Sequence, residues 1–225
     1  MSNNHITDLA KVILVPIHKE GFKFILIFAV ATIILALMSS TLGTIGLVLT
    51  LWCIFFFRDP ERFTPRGENL IISPADGVIN LIEQNATPPA ELGLANNDWT
   101  KISVFLNVFN VHVNRAPIAG KITQVKYQEG KFFSANLEEA SAENERNSAV
   151  VKTKSGAQIV FVQVAGLVAR RIVSDLKEGA EVEAGERYGI IRFGSRADIY
   201  LPKTSQVKVL VGQTMVGGET VIGEL

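Results

Sequence analysis

The sequence holds a single cysteine in 225 residues, Cys53, and so offers neither a disulfide framework nor a cysteine-based zinc site; that residue reads as a small apolar side chain within a hydrophobic run. Histidine is nearly as scarce. His5 and His18 precede the first long apolar run and His112 stands alone beyond residue 58, which excludes a multi-histidine metal site there. A surplus of either charge is missing, with 22 Lys plus Arg against 22 Asp plus Glu, and with it the basic face of a nucleic-acid binder. Sustained helical periodicity is lacking past residue 58. The best window, "SANLEEASAENERN" at 134–147, has Glu and Ala but no apolar stripe, and predicts a surface loop with a turn or two of helix.

Apolar residues are plentiful, 48% of the chain, and unevenly spread. "FKFILIFAVATIILALM" covers 22–38 with one charge, Lys23, and "LGTIGLVLTLWCIFFF" covers 42–57 with none; at 17 and 16 residues they fall a little short of the roughly 20 needed for a full bilayer span. They predict an N-terminal helical hairpin, transmembrane or re-entrant, over residues 1–57, followed by a soluble domain over 58–225. A cleaved signal peptide would not be followed at once by a second apolar run, so the segment is expected to be retained. Lys11, Lys19 and Lys23 precede the first run, Arg58, Arg62 and Arg66 follow the second, and the connecting "SSTLGT" is uncharged. That bias places both ends, and the soluble domain, on the cytoplasmic side of a cell membrane. Trp52 and Phe55–Phe57 stand where an interfacial aromatic belt would hold the exit.

From about Leu70 onward short β-rich runs alternate with Gly, Pro and Asp at spacings of roughly 8–14 residues, which predicts a mainly β sandwich or barrel. "SPADGVINLIE" from Ser73 and "APIAGKITQVKYQEG" from Ala116 each place a glycine three residues after a proline and then a strand. The pair resembles the half-motifs of biotinyl and lipoyl domains and of membrane-fusion adaptors, and implies a barrel-sandwich fold. That fold alone admits a carrier, an adaptor or an enzyme; the Met-Lys-Met or Asp-Lys-Ala of a carrier hairpin is absent.

Three residues could form a nucleophilic set. "RFGSRADIYLP" at 192–202 interrupts an apolar strand pattern with Gly194-Ser195, which reads either as a turn pair or as a functional site. Ser195 becomes a nucleophile only with a base, and His112 in "NVFNVHVNRAP" is the imidazole available, unless it is simply a hydrogen-bonded core residue. Asp76 before Gly77 suits a turn, but it would also complete an Asp-His-Ser arrangement, which is defined by geometry and not by order.

Six ordered segments, "FFFRDPER", "SPADG", "NVHVNRAP", "ENERN", "VAGLVARRIV" and "RYGIIRFGSRADIYLP", together resemble the phosphatidylserine decarboxylase family, in its short, pyruvoyl-dependent proenzyme form. The resemblance implies self-cleavage between Gly194 and Ser195 into a β chain of residues 1–194 and an α chain of residues 195–225. It implies conversion of Ser195 to an N-terminal pyruvoyl group, with His112 taking the serine proton and Asp76 orienting the imidazole. The pyruvoyl carbonyl would then serve as electron sink for decarboxylation of phosphatidylserine to phosphatidylethanolamine at the membrane, with no metal, and a homodimer of the processed pair is expected. Longer members carry His-x-x-His, and the first position here is Phe109; many have Thr after the processed serine, where Arg196 stands. Arg196 is a candidate for the substrate carboxylate or phosphate, with Arg115, Arg170 and Arg171 weaker candidates for the phosphate. The rival readings are a non-enzymatic adaptor or carrier on the same fold, and a decarboxylase of another serine-headgroup lipid.

Overall fold

The computed structural model describes residues 15–67, 69–94, 98–130, 144–166, 171–192 and 195–225. The chain divides into two compact units, Met1–Glu61 and Arg62–Leu225. The first runs four residues past the expected end of the hairpin because Arg58 bridges Ile17 and the Asp59 N–H donates to the Pro16 carbonyl at 2.7 Å.

In the first unit two helices, α1 (Phe22–Met38) and α2 (Ser40–Phe56), are joined by Ser39 alone, whose backbone is extended. The six-residue connector expected from "SSTLGT" is therefore mostly helix. The Thr44 hydroxyl is satisfied within that helix, Oγ1 donating to the Ser40 carbonyl one turn back at 3.0 Å. Small residues make the seam. Gly43, Gly46, Thr50 and Cys53 are buried, a Cβ on Gly43 would stand 2.7 Å from that of Ala36, and Thr32 and Thr50 share a hydrogen bond of 2.9 Å across the pair. The outer surface carries exposed Leu26, Ile27, Ile33, Leu37, Val48 and Leu51. Lys19–Met38, 20 residues, has the length and apolarity to cross a membrane. Phe24, Phe56, Phe57 and Trp52 stack at the other end of the hairpin, with ring centroids 5.0–5.6 Å apart.

The second unit is mainly β; its one helical element among the described residues is a single 3-10 turn, Ala90–Leu92. Strands β2 (Gly77–Ala86), β3 (Trp99–Leu106), β5 (Gly120–Gln128), β6 (Arg146–Lys152), β7 (Gln158–Ala165), β9 (Glu181–Val182), β11 (Ser195–Pro202) and β13 (Thr214–Met215) form an eight-stranded antiparallel sheet in the order β13-β2-β3-β11-β7-β6-β5-β9. It curls around a core of Ile79, Ile102, Val104, Phe161, Ile199 and Leu201. Two three-stranded sheets complete the unit: β4 (Val113–Arg115), β10 (Arg187–Ile191) and β8 (Ile172–Ser174), and β1 (Leu70–Ile72), β14 (Val221–Glu224) and β12 (Gln206–Val207). Both faces of β11 are buried. Ala197, Ile199 and Leu201 enter the main core, while Arg196, Asp198 and Tyr200 alternate to the other face, where Tyr200 packs with Trp99, Val160 and Leu92.

The two Pro-x-x-Gly segments are related by an internal two-fold repeat. The Ile72 N–H donates to the Pro117 carbonyl at 2.7 Å and the Arg115 N–H donates to the Pro74 carbonyl at 2.9 Å, so each half closes the other. Gly218 donates to Ser73 as Gly185 does to Ala116, both at 2.8 Å; Gly212 donates to Ile79 as Gly179 does to Ile122, again at 2.8 Å. The glycines are required by close approach. A Cβ on Gly77 would lie 2.2 Å from the Phe105 carbonyl oxygen, and one on Gly120 2.4 Å from that of Lys152.

Tyr188 is an exception to polar satisfaction in this core. Its ring packs edge-on to Phe161 at 5.1 Å, its hydroxyl is buried without a hydrogen-bond partner among the described residues, and burial holds the phenol above the ordinary tyrosine range. Tyr188→Phe is therefore expected to leave stability unchanged or raise it by about 1 kcal/mol, because the phenylalanine deletes an unpaired polar group. A denaturation midpoint in detergent measures this, and a marked loss would mean that the hydroxyl has a partner.

Candidate active site

Ser195 opens β11 and pairs on both sides at once, with Leu106 at the end of β3 and Ala165 at the end of β7. It is thus an in-register strand residue and not a turn residue. Its side chain alternates to the same face as Ala197 and Ile199, toward the main core; it is fully buried, and Oγ has no hydrogen-bond partner among the described residues. An orphaned buried hydroxyl costs about 1–3 kcal/mol, so this position opposes stability and suits chemistry. Gly194, expected on the other side of the scissile bond, lies outside the described residues, as does Arg170.

Loop 107–112 carries His112 from β3 to β4. Two side-chain bonds shape the loop: the Asn107 N–H donates to Asn110 Oδ1 and the Phe109 N–H to Asn107 Oδ1, both at 2.8 Å. In this loop the Phe109 side chain is 63% exposed while His112 is fully buried. The His112 Nδ1 lies 3.0 Å from the Asn110 carbonyl oxygen, and a carbonyl can only accept. The ring proton therefore belongs on Nδ1, and the basic lone pair is on Nε2. The His112 carbonyl accepts from the Ile191 N–H at 3.3 Å, which places the histidine beside the end of β10, four residues before Ser195.

Asp76 sits in the first Pro-x-x-Gly turn. Arg62 Nη2 donates to both carboxylate oxygens, at 2.8 and 3.0 Å, and the Gly217 N–H donates to Oδ1 at 2.8 Å. The repeat separates its two readings: the equivalent position in the second turn is Ala119, and that turn closes through the same backbone bonds without a carboxylate. A turn alone does not require Asp76. Asp76 accepts from Arg62 and Gly217, while the Asn110 carbonyl faces the His112 Nδ1.

Both candidate arginines are buried. Arg115 Nη1 donates to the Gly185 carbonyl at 2.9 Å. Arg196 lies on the face of β11 away from the Ser195 side chain and pairs with Asp198 through Nε at 2.7 Å and Nη2 at 3.1 Å, with Lys101 3.8 Å from the same carboxylate. Breaking such a buried pair costs about 3–5 kcal/mol.

Several polar residues near the serine have no counterpart in the sequence reading. Part of "ENERN", expected on the surface, is interior: Asn144 Nδ2 donates to the Ala165 carbonyl at 2.7 Å, opposite Ser195, and Glu145 Oε1 accepts from the Ile172 N–H at 3.0 Å. The rest of the expected loop, 134–143, lies outside the described residues. A chain of buried amides runs across the core, from Asn147 Nδ2 to Gln163 Oε1 at 3.2 Å and from Gln163 Nε2 to Asn114 Oδ1 at 2.9 Å. A cleft of about 440 Å³ lined by Arg66, Asn69, Thr153, Lys154 and Glu183 lies at the β6–β7 hairpin. That is the far end of β7 from Ala165, roughly 20 Å away along the strand, and the cleft is not part of this site.

The model of the family described as phosphatidylserine decarboxylase matches residues 49–223. Three relatives bear the name phosphatidylserine decarboxylase proenzyme. That of Ruegeria pomeroyi is 57% identical over 210 residues, covering 93% of this chain and 95% of its own length. That of Rickettsia bellii is 55% identical over 217 residues, covering 96% and 92%, and that of Cereibacter sphaeroides is 53% identical over 218, covering 97% and 94%.

Proposed function

The chain belongs to the phosphatidylserine decarboxylase family, and from that premise we propose that it is a self-processing, pyruvoyl-dependent enzyme converting phosphatidylserine to phosphatidylethanolamine with release of carbon dioxide. The observation that carries this reading is Ser195: a fully buried hydroxyl without a partner, at the first residue of a strand held on both sides, in a protein with a membrane-span-like N-terminal helix.

In the processing step, Ser195 Oγ bonds to the carbonyl carbon of Gly194 while its proton passes to His112 Nε2. The carbonyl oxygen takes the electron pair; collapse breaks the C–N bond, and the proton returns to the nitrogen of residue 195. The Asn110 carbonyl fixes the tautomer this requires, and Asp76, its charge held by Arg62, is the carboxylate of the set. The two pieces are then joined by an ester from Ser195 Oγ to Gly194; loss of the α proton of residue 195 expels Gly194 as a carboxylate, and water then displaces the amino nitrogen as ammonia. The pyruvoyl group so formed would supply an electron sink for the leaving carboxylate. His112 then remains beside the reacting carbon to move the proton that replaces carbon dioxide. Burial of residue 195 shields that exchange from bulk solvent. Arg115 is retained as a candidate for the headgroup phosphate. The pairing of Arg196 with Asp198 supports a role in holding β11 in place.

The internal repeat supports a barrel-sandwich relationship for the β unit. The hairpin is assigned to the membrane, with the catalytic unit on the cytoplasmic side and the processed pair as a homodimer. Intact mass decides the central assignment. A 31-residue fragment beginning at position 195 is expected, blocked at its N-terminus and lighter than the serine peptide by the difference between serine and pyruvoyl. A single 225-residue species or a free N-terminal serine would overturn it.

A further inference from the structure

The amide chain across the core has an open end. Asn147 and Gln163 are both bonded into it, but Asn114 spends its oxygen on Gln163, and its Nδ2 is buried without a partner among the described residues. Asn114 and Gln163 are fully buried and Asn147 is 5% exposed, so the chain is shielded from bulk solvent. An amide N–H left this way is an uncompensated cost unless something else comes to accept from it.

The geometry places that donor with the reacting groups. Gln163 lies opposite Ala197 and Ala165 opposite Ser195, which makes Gln163 the diagonal neighbour of Ser195 on one face of the sheet, within about 8 Å. Asn114 is bonded to that side chain, and it lies in β4, which His112 immediately precedes. The Gln163 amide has room there because β10 has glycine at 189, opposite Asn114, where a Cβ would stand 3.1 Å from Gln163 Nε2. Two orphaned polar groups, a donor on Asn114 and the Ser195 hydroxyl, thus share one buried interior.

We infer that Asn114 is a catalytic residue of self-cleavage, its Nδ2–H donating to the oxygen that becomes negative when Ser195 Oγ attacks the preceding carbonyl. This rests on the processing reaction proposed above. That carbonyl carbon is bonded to the Ser195 nitrogen, about 1.33 Å from it, so its oxygen lies close to Ser195 whatever path the chain takes before it. Gln163, itself fixed by Asn147, occupies the Asn114 oxygen and so leaves the donor as the end of that amide available to the site. An oxyanion donor held in place before the reaction is worth more in a water-free site than one that must reorient.

The test follows cleavage of the full chain, synthesised in a cell-free system with detergent, on denaturing gels. Asn114→Asp keeps the shape and removes the donor, and it is expected to slow cleavage about 100- to 1,000-fold. Hydroxylamine, which splits esters, should release no extra fragment, because the defect precedes ester formation. Accumulation of a hydroxylamine-labile ester, or cleavage at the wild-type rate, overturns the assignment. Melting of the same substitution in a Ser195→Ala background tests for a folding defect. Where one is found, Asn114→Ser and Asn114→Ala decide the matter: the serine hydroxyl can donate, so the Ser variant must cut faster than the Ala variant, and equal rates overturn the inference. A wild-type chain that never cuts would remove the processing reaction itself, whereas a cutting wild type with an equally fast Asn114→Asp removes only the role of Asn114.

Discussion

Ser195→Ala is expected to yield one uncut chain of 225 residues with decarboxylase activity below detection, since both the nucleophile of cleavage and the source of the pyruvoyl group are gone. The same variant should be no less stable than the precursor, because the deleted hydroxyl is buried and makes no hydrogen bond among the described residues. Loss of function with retained or improved stability is the signature of a group kept for its chemistry. Gel mobility, release of labelled carbon dioxide and a melting curve check the three parts together. A cut chain or residual turnover from this variant would place both the cleavage site and the cofactor elsewhere.

His112→Ala is expected to slow cleavage by roughly 100- to 10,000-fold, the range for loss of a general base. The nucleophile and its strand remain intact. Asp76→Asn should slow it less, since the Asn110 carbonyl still holds the Nδ1 proton and the basic nitrogen stays Nε2. Any processed His112→Ala protein should also be impaired in decarboxylation. Phe109, which stands where longer relatives have a second histidine, cannot carry a proton, and its side chain is largely exposed on the loop. Time courses of chain cleavage, followed by assay of the separated processed fraction, measure the two effects. Rapid, complete cleavage without His112 would sink the nucleophilic set, and full turnover in the processed fraction would sink its second duty.

The strands were legible because alternation and turn residues report local backbone shape, and the Pro-x-x-Gly pair announced a repeat that backbone bonds at Ile72 and Arg115 confirm. The helical hairpin was legible from apolar length, though not the position of its bend: Ser40–Thr44 look like a linker until the hydroxyl of Thr44 is seen bonding within the helix. What escaped the sequence is long-range polar pairing. Arg62 is 14 residues from the carboxylate it holds and read only as flanking charge. Asn147 and Gln163 are of a residue type that usually faces water, and nothing in a period of two says that both faces of a strand are covered. The carbonyl that sets the His112 tautomer is a backbone atom, which no side-chain pattern encodes.

With cleavage where we propose it, the placement of β11 between β3 and β7 would give maturation a direction in time. A break before Ser195 severs the strand at its first residue yet leaves both ladders along Ser195–Pro202 in place, so the two pieces stay joined as one body. The connectivity that threaded the strand into its slot is nevertheless gone. An uncut chain brings β11 to its neighbours at the high effective concentration of a tether. The separated 31-residue piece would have to find a slot that closes without it, in a second-order reaction competing with aggregation. Maturation by that cut would be a ratchet: the route by which the fold was reached would be destroyed in the act that makes it active. The lifetime of the mature enzyme is set by how slowly it comes apart, while a chain unable to cut itself still answers to equilibrium and can refold on cooling.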